Sequence, residues 1–171
     1  MLTEDEAGHC ISIREEESDE GNKFGICVLD CATSQFNLSV FEDDICRTKL
    51  ETLMRQVRPK EILFTKVCTK HIRQSHLADI RYQGKLSVST TRLLKSVLPA
   101  ACLWTGLREV EGFGYEQTIQ ELRKLYPSGD EDEDMDEDSN VLSVNVPEAI
   151  RDMADSKNAM ESLGIMIWYV E

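Results

Sequence analysis

Hydrophobic and polar residues alternate along the first part of the chain in a pattern that predicts three antiparallel strands. Residues 9–17 alternate briefly and lead into an acidic turn that ends at Gly21, which is typical of a short strand and a solvated hairpin loop. Residues 24–29 and 36–41 are rich in β-branched and aromatic side chains. The run 24–29 is almost entirely apolar and therefore predicts a central strand, whereas the run 36–41 alternates and predicts one buried face.

From Asp44 onward the apolar period changes to that of a helix. Asp43 or Asp44 caps the predicted helix, and Pro59 ends it. Its apolar stripe consists of Ile45, Leu50, Leu53, Met54 and Val57. A strand at 61–65 follows, and the later pattern predicts helices at 89–96 and 115–125, a strand around 101–105 and a final helix from about Pro147.

This order of elements predicts an α/β fold of the ribonuclease H-like type, in which a mixed sheet is flanked by helices. In such a fold the first helix makes a crossover connection, so the strand after it lies parallel to the first strand. The main core is expected to contain Phe24, Ile26, Val28, Leu38, Val40, Leu53, Ile62 and Phe64.

The chain has 171 residues, of which 41% are hydrophobic, enough for one core with appendages. Its 19 basic and 32 acidic residues give a net charge of −13. The average surface therefore repels a phosphate backbone, which argues against autonomous binding of nucleic acid. Residues 128–140 carry eight acids and no base, so this stretch is predicted to be a disordered linker.

The six cysteines are scattered, and no apolar signal segment precedes them. This usage predicts reduced thiols in the cytosol or nucleus rather than a disulfide framework. The longest apolar run, at 163–170, is far too short to cross a membrane.

The ribonuclease H-like order raises the hypothesis of a metal-dependent nuclease. Such enzymes hold two metal ions with carboxylates from the first strand, the crossover helix and the end of the fourth strand. Asp30 and Glu51 are candidates for the first two positions, but Thr65 and Lys66 stand at the third. A lysine there repels a metal ion, so Asp30 is better explained as a turn residue and Glu51 as a solvated helix position.

The segment 67–83 offers two further kinds of site. Its Cys68, His71 and His76 resemble a set of metal ligands, but a structural zinc site needs a fourth ligand, which is not nearby. Possible phosphate contacts to DNA within the same segment are Lys70, Arg73 and Arg81, with Tyr82 as the one aromatic residue. An exposed basic loop or helix is the preferred interpretation of both sets.

Several motifs resemble the connector domain of MutS mismatch-repair proteins, within them most closely the fungal members of the sixth eukaryotic subfamily. The matching residues are Phe24, Gly25 and Cys27 in the first motif, Asp30 and Ala32 to Phe36 in the second, Phe41, Asp43 and Asp44 in the third, and Arg58, Pro59 and Glu61 in the fourth. The resemblance continues through the stretches GKLSVSTTRLLKS, PEAIRDM and ESLGIMIWYV and covers nearly the whole chain. It departs from the family at Gly114 and Tyr115, where Trp-Asp is usual, and at 67–83, which has no counterpart.

The resemblance implies a catalytically inactive connector at 1–127, the acidic linker at 128–140 and the beginning of the core or lever domain at 141–171. Such a connector joins the mismatch-binding part to the core and ATPase parts and offers a surface to MutL-type partners. The parent protein is expected to be nuclear, to pair with another MutS homologue, to bind mismatched DNA, and to bind ATP and magnesium. No catalytic, cofactor or metal residue is expected in this chain, DNA contact is expected only through other domains, and no membrane contact is expected.

Other classes of function remain open beside the connector. The chain has no Walker loop, nucleophile elbow or dinucleotide fingerprint. The alternatives are the nuclease and an acidic adaptor unrelated to repair. The residues that touch a MutL partner are unknown from sequence, and the polar positions of the helix at 47–58 are candidates only because they are expected to be exposed.

The segment 67–83 is interpreted as a translated intron. Without it, EILFTK joins GKLSVSTTRLLKS directly and restores the family pattern. Val67 with Cys68 can be encoded by a fungal splice donor, residues 77–79 by a branch site, and Tyr82 with Gln83 by a splice acceptor. The alternative is a genuine loop insertion, since surface loops tolerate insertions well.

Overall fold

A five-stranded mixed sheet runs through the middle of the computed structural model, which describes residues 8–17, 19–66, 86–108, 110–127 and 142–171. In chain order the elements are β1 (His9–Glu16), β2 (Asn22–Asp30), β3 (Gln35–Asp43), α1 (Thr48–Val57), β4 (Glu61–Thr65), α2 (Val88–Val97), β5 (Leu103–Leu107), α3 (Tyr115–Leu125), α4 (Glu148–Arg151) and α5 (Lys157–Val170). The strand order is β3-β2-β1-β4-β5. Strands β1, β2 and β3 pair antiparallel, whereas β4 pairs parallel with both β1 and β5. The predicted ribonuclease H-like arrangement is thus confirmed.

The two faces of the sheet carry separate helix layers. Because successive side chains of a strand point to opposite faces, Ile11 and Ile13 pack against α1 and α2, whereas Cys10 and Ser12 face α5. Helices α3 and α5 build the second cluster on that opposite face. The middle of the sheet is β1, so β2, predicted to be central, is interior but not the middle strand.

The predicted core is confirmed for five of its residues and wrong for one. Phe24, Ile26, Val28, Ile62 and Phe64 are buried, and Leu38 and Leu53 are partly buried against the two clusters. Val40 is 39% exposed. Its strand β3 is at the edge of the sheet, and the helices of the two layers pack mainly on the other strands. The same edge position leaves Phe36 40% exposed, against the prediction of one buried face.

Two adjacent carboxylates hold the start of α1, as the sequence predicted for one or the other. The Asp44 carboxylate accepts hydrogen bonds from the backbone N–H of Thr48 at 3.1 Å and from its hydroxyl at 2.9 Å. The buried Asp43 carboxylate accepts from the backbone N–H of Leu50 at 2.8 Å. The helix begins later than predicted, and Ile45, assigned to its apolar stripe, is 89% exposed in the turn before it.

The last part of the chain forms two helices where one was predicted. Helix α4 has only four residues, and α5 begins anew at Lys157, where the Ser156 hydroxyl accepts a hydrogen bond from the backbone N–H of Ala159. Within the described residues no helix is long and apolar enough to cross a membrane. The intron or loop predicted at 67–83 and the linker predicted at 128–140 lie outside the described residues.

Candidate functional site

The two carboxylates proposed for a nuclease lie far apart. Asp30 is the last residue of β2, and Glu51 lies in the first turn of α1. That turn is held by Asp43, which pairs with Asn22 at the opposite end of β2 from Asp30. A nine-residue strand is about 26 Å long at 3.3 Å per residue. Asp30 and Glu51 therefore do not share a metal ion, and their assignment to one site is wrong.

Each of these carboxylates has a local partner. The Asp30 carboxylate accepts a hydrogen bond from the backbone N–H of Ala32 at 2.9 Å, and this bond lowers the pKa of Asp30. Glu51 forms an ion pair with Arg55, one helical turn further on, at 2.8 Å. Both residues thus have the structural roles, turn and helix surface, that the sequence offered as the alternative. In the part of the chain that the structure describes, no group of three His, Cys, Asp or Glu side chains could hold a metal ion.

Arg14 is located where the carboxyl ends of β1 and β4 meet. Its guanidinium donates a hydrogen bond to the Thr65 hydroxyl at 2.9 Å and another, from Nε, to the Glu161 carboxylate at 2.9 Å. Arg14 and Glu161 are each 13% exposed, so water screens their ion pair only weakly. At this edge a ribonuclease H-like nuclease needs carboxylates from the first and fourth strands. This chain instead places an arginine on the first strand and Thr65 at the end of the fourth, with Lys66 after it.

A cleft opens beside Arg14 between the strand ends and the helices α3 and α5. A cavity of about 280 Å³ is lined by Arg14, Thr65, Glu111, Gly112, Phe113, Gly114, Glu161 and Ile165. A second cavity of about 610 Å³ shares Gly114 and Glu161 with it and adds Tyr115, Glu116, Gln117, Asp155 and Lys157. Glu111 is held by Arg108, whose hydrogen bonds lower the pKa of that carboxyl. Four carboxylates thus line the two cavities, and two of them are paired with an arginine: Glu111 with Arg108 and Glu161 with Arg14.

The next residue of β1, Glu15, ties both helices of the other layer to the sheet. Its side chain is fully buried and accepts hydrogen bonds from the Ser87 backbone N–H at 2.6 Å and from the Thr90 hydroxyl at 2.7 Å. Asn22 donates to the same carboxylate at 2.6 Å, and the Arg47 guanidinium lies 3.7 Å away. Glu15 therefore holds the starts of α1 and α2 together at the carboxyl end of β1.

Neither of these networks was found from the sequence. The only available signal was the charged pair Arg14 and Glu15, which directly follows the buried residues 10–13 within the same strand. The pattern placed Glu15 beside a solvated turn, because its partners Ser87 and Thr90 follow more than 70 residues later.

The five described cysteines are free, and three of them are buried. Burial raises the pKa of Cys10 and of Cys27 to about 12, so both thiols stay protonated at neutral pH. A protonated thiol is a poor metal ligand and a poor nucleophile. The candidate metal and DNA residues Cys68, Lys70, His71, Arg73, His76, Arg81 and Tyr82 all lie outside the described residues.

The polar surface of α1 is exposed, as expected, at Lys49, Thr52, Arg55 and Gln56, and at Arg58 immediately after it. Arg47 is the exception among the residues offered as candidate partner contacts. Its side chain is only 12% exposed, and its guanidinium donates a hydrogen bond to the Thr90 hydroxyl.

Comparisons with known proteins identify the family of this fold. Residues 9–171 match the family model of MutS domain II. The DNA mismatch repair protein MSH6 of Saccharomyces cerevisiae is 38% identical over 79 residues, a match that covers 37% of this chain and 6% of that protein. Among solved structures, the Holliday junction resolvase of fowlpox virus superposes with a TM-score of 0.43 at 10% identity, covering 94% of this chain and 96% of that chain. Since the family model extends over nearly the whole sequence, the chain belongs to the MutS domain II family.

Proposed function

We propose that this chain is the connector of a MutS homologue of the sixth eukaryotic, fungal type, and that it links the mismatch-binding part to the core and ATPase parts. The match to MutS domain II supports a connector role in mismatch repair. The similarity to the yeast protein, which is a DNA mismatch repair protein, supports the narrower assignment. The match covers only 6% of that relative's length, and by this proposal the activities of the whole protein belong to other segments.

The observation that carries the proposal is the Arg14 cluster. Arg14 joins β1 to β4 through Thr65 and to α5 through Glu161. A buried hydrogen bond from the Ser12 hydroxyl to the Ser162 carbonyl joins the same strand and helix. A module that transmits movement between domains has to move as one body, and these bonds connect elements from both ends of the chain. Arg14 also places a positive charge where a ribonuclease H-like nuclease would place metal-binding carboxylates. This difference favours a connector over a nuclease.

The parent protein, by this proposal, pairs with a second MutS homologue, binds mismatched DNA, and hydrolyses ATP with magnesium in the nucleus. This chain supplies a surface for a MutL-type partner. Its net charge of −13 fits a role in which DNA is held by other domains.

A chimera tests the proposal. Residues 9–171, the part that matches the MutS domain II model, replace the domain II segment of yeast MSH6, and the spontaneous mutation rate of the yeast strain is measured. We expect a rate close to that of the unaltered strain. A control chimera with Ile26→Asp, which places a charge at a fully buried position, should behave like a strain without the protein.

A rate as high as that of the deletion strain, from a chimera present at normal abundance, would favour the acidic adaptor unrelated to repair. A second measurement addresses the nuclease: the purified chain is incubated with branched or duplex DNA and magnesium or manganese. We expect the DNA to stay intact. Metal-dependent cleavage that disappears in the Ile26→Asp variant would belong to the folded chain and would overturn the connector assignment.

A further inference from the structure

The two helix layers carry opposite charge. In the α1–α2 layer, residues 44–60 and 86–100 contain seven Lys or Arg and two Asp or Glu. In the α3–α5 layer, residues 110–127 and 142–171 contain four Lys or Arg and eight Asp or Glu. The α1–α2 layer is therefore positively charged although the whole chain has a net charge of −13. A positive patch of this kind attracts and orients negatively charged partners.

A cavity lies within this basic layer where α1 and α2 end. The two helices start side by side, since Arg47 at the head of α1 donates hydrogen bonds to Ser87 and Thr90 at the head of α2. At their other ends they leave a cavity of about 350 Å³, here called the α1–α2 cavity, lined by Arg55, Arg58, Val97, Leu98 and Pro99. One wall of the α1–α2 cavity is thus cationic, and the other is apolar.

Arg58 is available to a ligand in this cavity. It follows α1 in the left-handed conformation, with φ of 46°, and its backbone N–H closes the helix by donating to the Met54 carbonyl. Arg58 is exposed, and its guanidinium has no ion pair with any residue that the structure describes. Arg55 is 63% exposed and has one pair, with Glu51 on the same helix. A carboxylate brought into the cavity therefore meets one unpaired guanidinium and one that is exposed to solvent.

We propose that the α1–α2 cavity docks a short acidic peptide segment of another protein, with one apolar side chain against Val97, Leu98 and Pro99 and carboxylates on Arg55 and Arg58. This inference does not depend on the proposed connector function. Guanidinium groups bind carboxylates through bidentate hydrogen bonds. The apolar wall adds affinity only for a ligand that carries an apolar group.

A peptide fits the cavity better than nucleic acid does. A DNA duplex is a long polyanion that extends beyond one cavity and meets the field of the whole molecule, whose net charge of −13 repels it. A short peptide is confined to the basic layer, within about one Debye length of the two arginines. A sugar–phosphate backbone also offers nothing apolar to Val97 or Leu98.

Fluorescence anisotropy of the full chain with labelled peptides tests the proposal. The probe is a peptide in which one leucine is flanked by glutamates, compared with a peptide in which the leucine is serine and with a DNA duplex of equal charge. We expect the leucine peptide to bind most tightly, and Arg55→Glu with Arg58→Glu to weaken its binding by at least about tenfold. The matched control is Arg123→Glu with Lys124→Glu on α3, which reverses the same number of charges on the opposite layer and should change Kd by less than about twofold.

Three outcomes would overturn the proposal. Equal weakening by the α1 and α3 variants would mean that only net charge matters, and tighter binding of the duplex would mean a nucleic-acid surface. Tightening of more than about tenfold after deletion of residues 128–140 would mean that the chain's own acidic run competes for the cavity. Circular dichroism of the Arg55→Glu, Arg58→Glu variant, and of Arg55→Gln, Arg58→Gln, which removes both charges without adding new ones, separates loss of binding from loss of fold.

Discussion

The Glu15 carboxylate accepts two hydrogen bonds from Ser87, one from the backbone N–H at 2.6 Å and one from the hydroxyl at 2.9 Å. Ser87 is the N-cap of α2. The sheet thereby fixes the point at which α2 begins, and the carboxylate lies at the positive end of the helix dipole.

Replacing Glu15 by alanine should lower the free energy of unfolding by about 2 to 4 kcal/mol, because buried Thr90 and half-buried Ser87 and Asn22 lose the acceptor of their hydrogen bonds. Urea denaturation measures the change. The control is Glu17→Ala on the exposed residue after β1, which should cost less than about 0.5 kcal/mol. Equal costs for the two variants would show that the Glu15 network does not stabilise the fold.

Substitutions that remove side-chain volume should destabilise the inner strands β2 and β4 more than the edge strand β3. Ile26→Ala in β2 or Phe64→Ala in β4 should cost on the order of 2 to 5 kcal/mol, because both side chains are buried. Val40→Ala in β3 should cost under about 1 kcal/mol, since Val40 is 39% exposed. If Ile26→Ala melted at the temperature of the parent, the assignment of β2 to the core would be wrong.

Gly25 lets α5 approach the sheet closely. A Cβ atom at this position would overlap the carbonyl group of Asn158 at the start of α5. We expect Gly25→Ala to push the helix away and to destabilise the protein by about 1 to 3 kcal/mol. Gly114→Ala is the matched control, because a Cβ atom there would meet only the Gln117 side chain at 4.0 Å. Hydrogen exchange of α5 amides should rise in the first variant alone.

The cysteines should react in two groups with iodoacetamide. Cys31 and Cys46 are exposed and should be alkylated in the native protein, whereas Cys10 and Cys27 should be alkylated only after unfolding. The pKa of each buried thiol in the folded protein, about 12, lies above the ordinary cysteine value of 9.0. Their contribution to stability is therefore complete below pH 9 and decreases as the pH rises toward 12. Mass spectrometry of native protein alkylated at Cys27 would contradict the burial of that thiol.

Sequencing the mature transcript tests the interpretation of residues 67–83 as a translated intron. We expect most messages to lack these codons, and we expect the shortened protein, with Lys66 joined to Gly84, to melt within a few degrees of the long form. Lys66 is bonded through its backbone N–H to the Leu107 carbonyl, and Leu86 is buried, so the fold fixes both sides of the segment independently. If most messages retain the codons, the intron interpretation is wrong, and the metal and DNA hypotheses for His71, His76 and Arg73 return.

Local sequence patterns predicted the order of the strands and helices because each pattern depends on neighbours a few residues apart. The switch from period two to the helical period located α1, and the turn residues after Asp30 located the hairpin. The exposure of Val40 was missed because the position of β3 at the sheet edge depends on which strands pair, and periodicity does not encode pairing. Arg14 and Glu161 were missed because they are 147 residues apart in sequence. The residues next to Arg14 and Glu161 in sequence contain no pattern that would indicate a contact between residues so far apart.

The contacts of α5 with β1 also order events during synthesis. The hydroxyl of Ser12 and the carbonyl of Ser162 are separated by 150 residues, so the first strand emerges from the ribosome long before its last partner exists. At about 5 to 20 residues per second, roughly 8 to 30 seconds pass between synthesis of β1 and synthesis of the α5 residues that cover it. During that interval Cys10, Cys27 and Leu63 have no helix α5 above them. The nascent chain therefore exposes one apolar face until residues 157–170 have been made, and a chaperone has most to protect during that period.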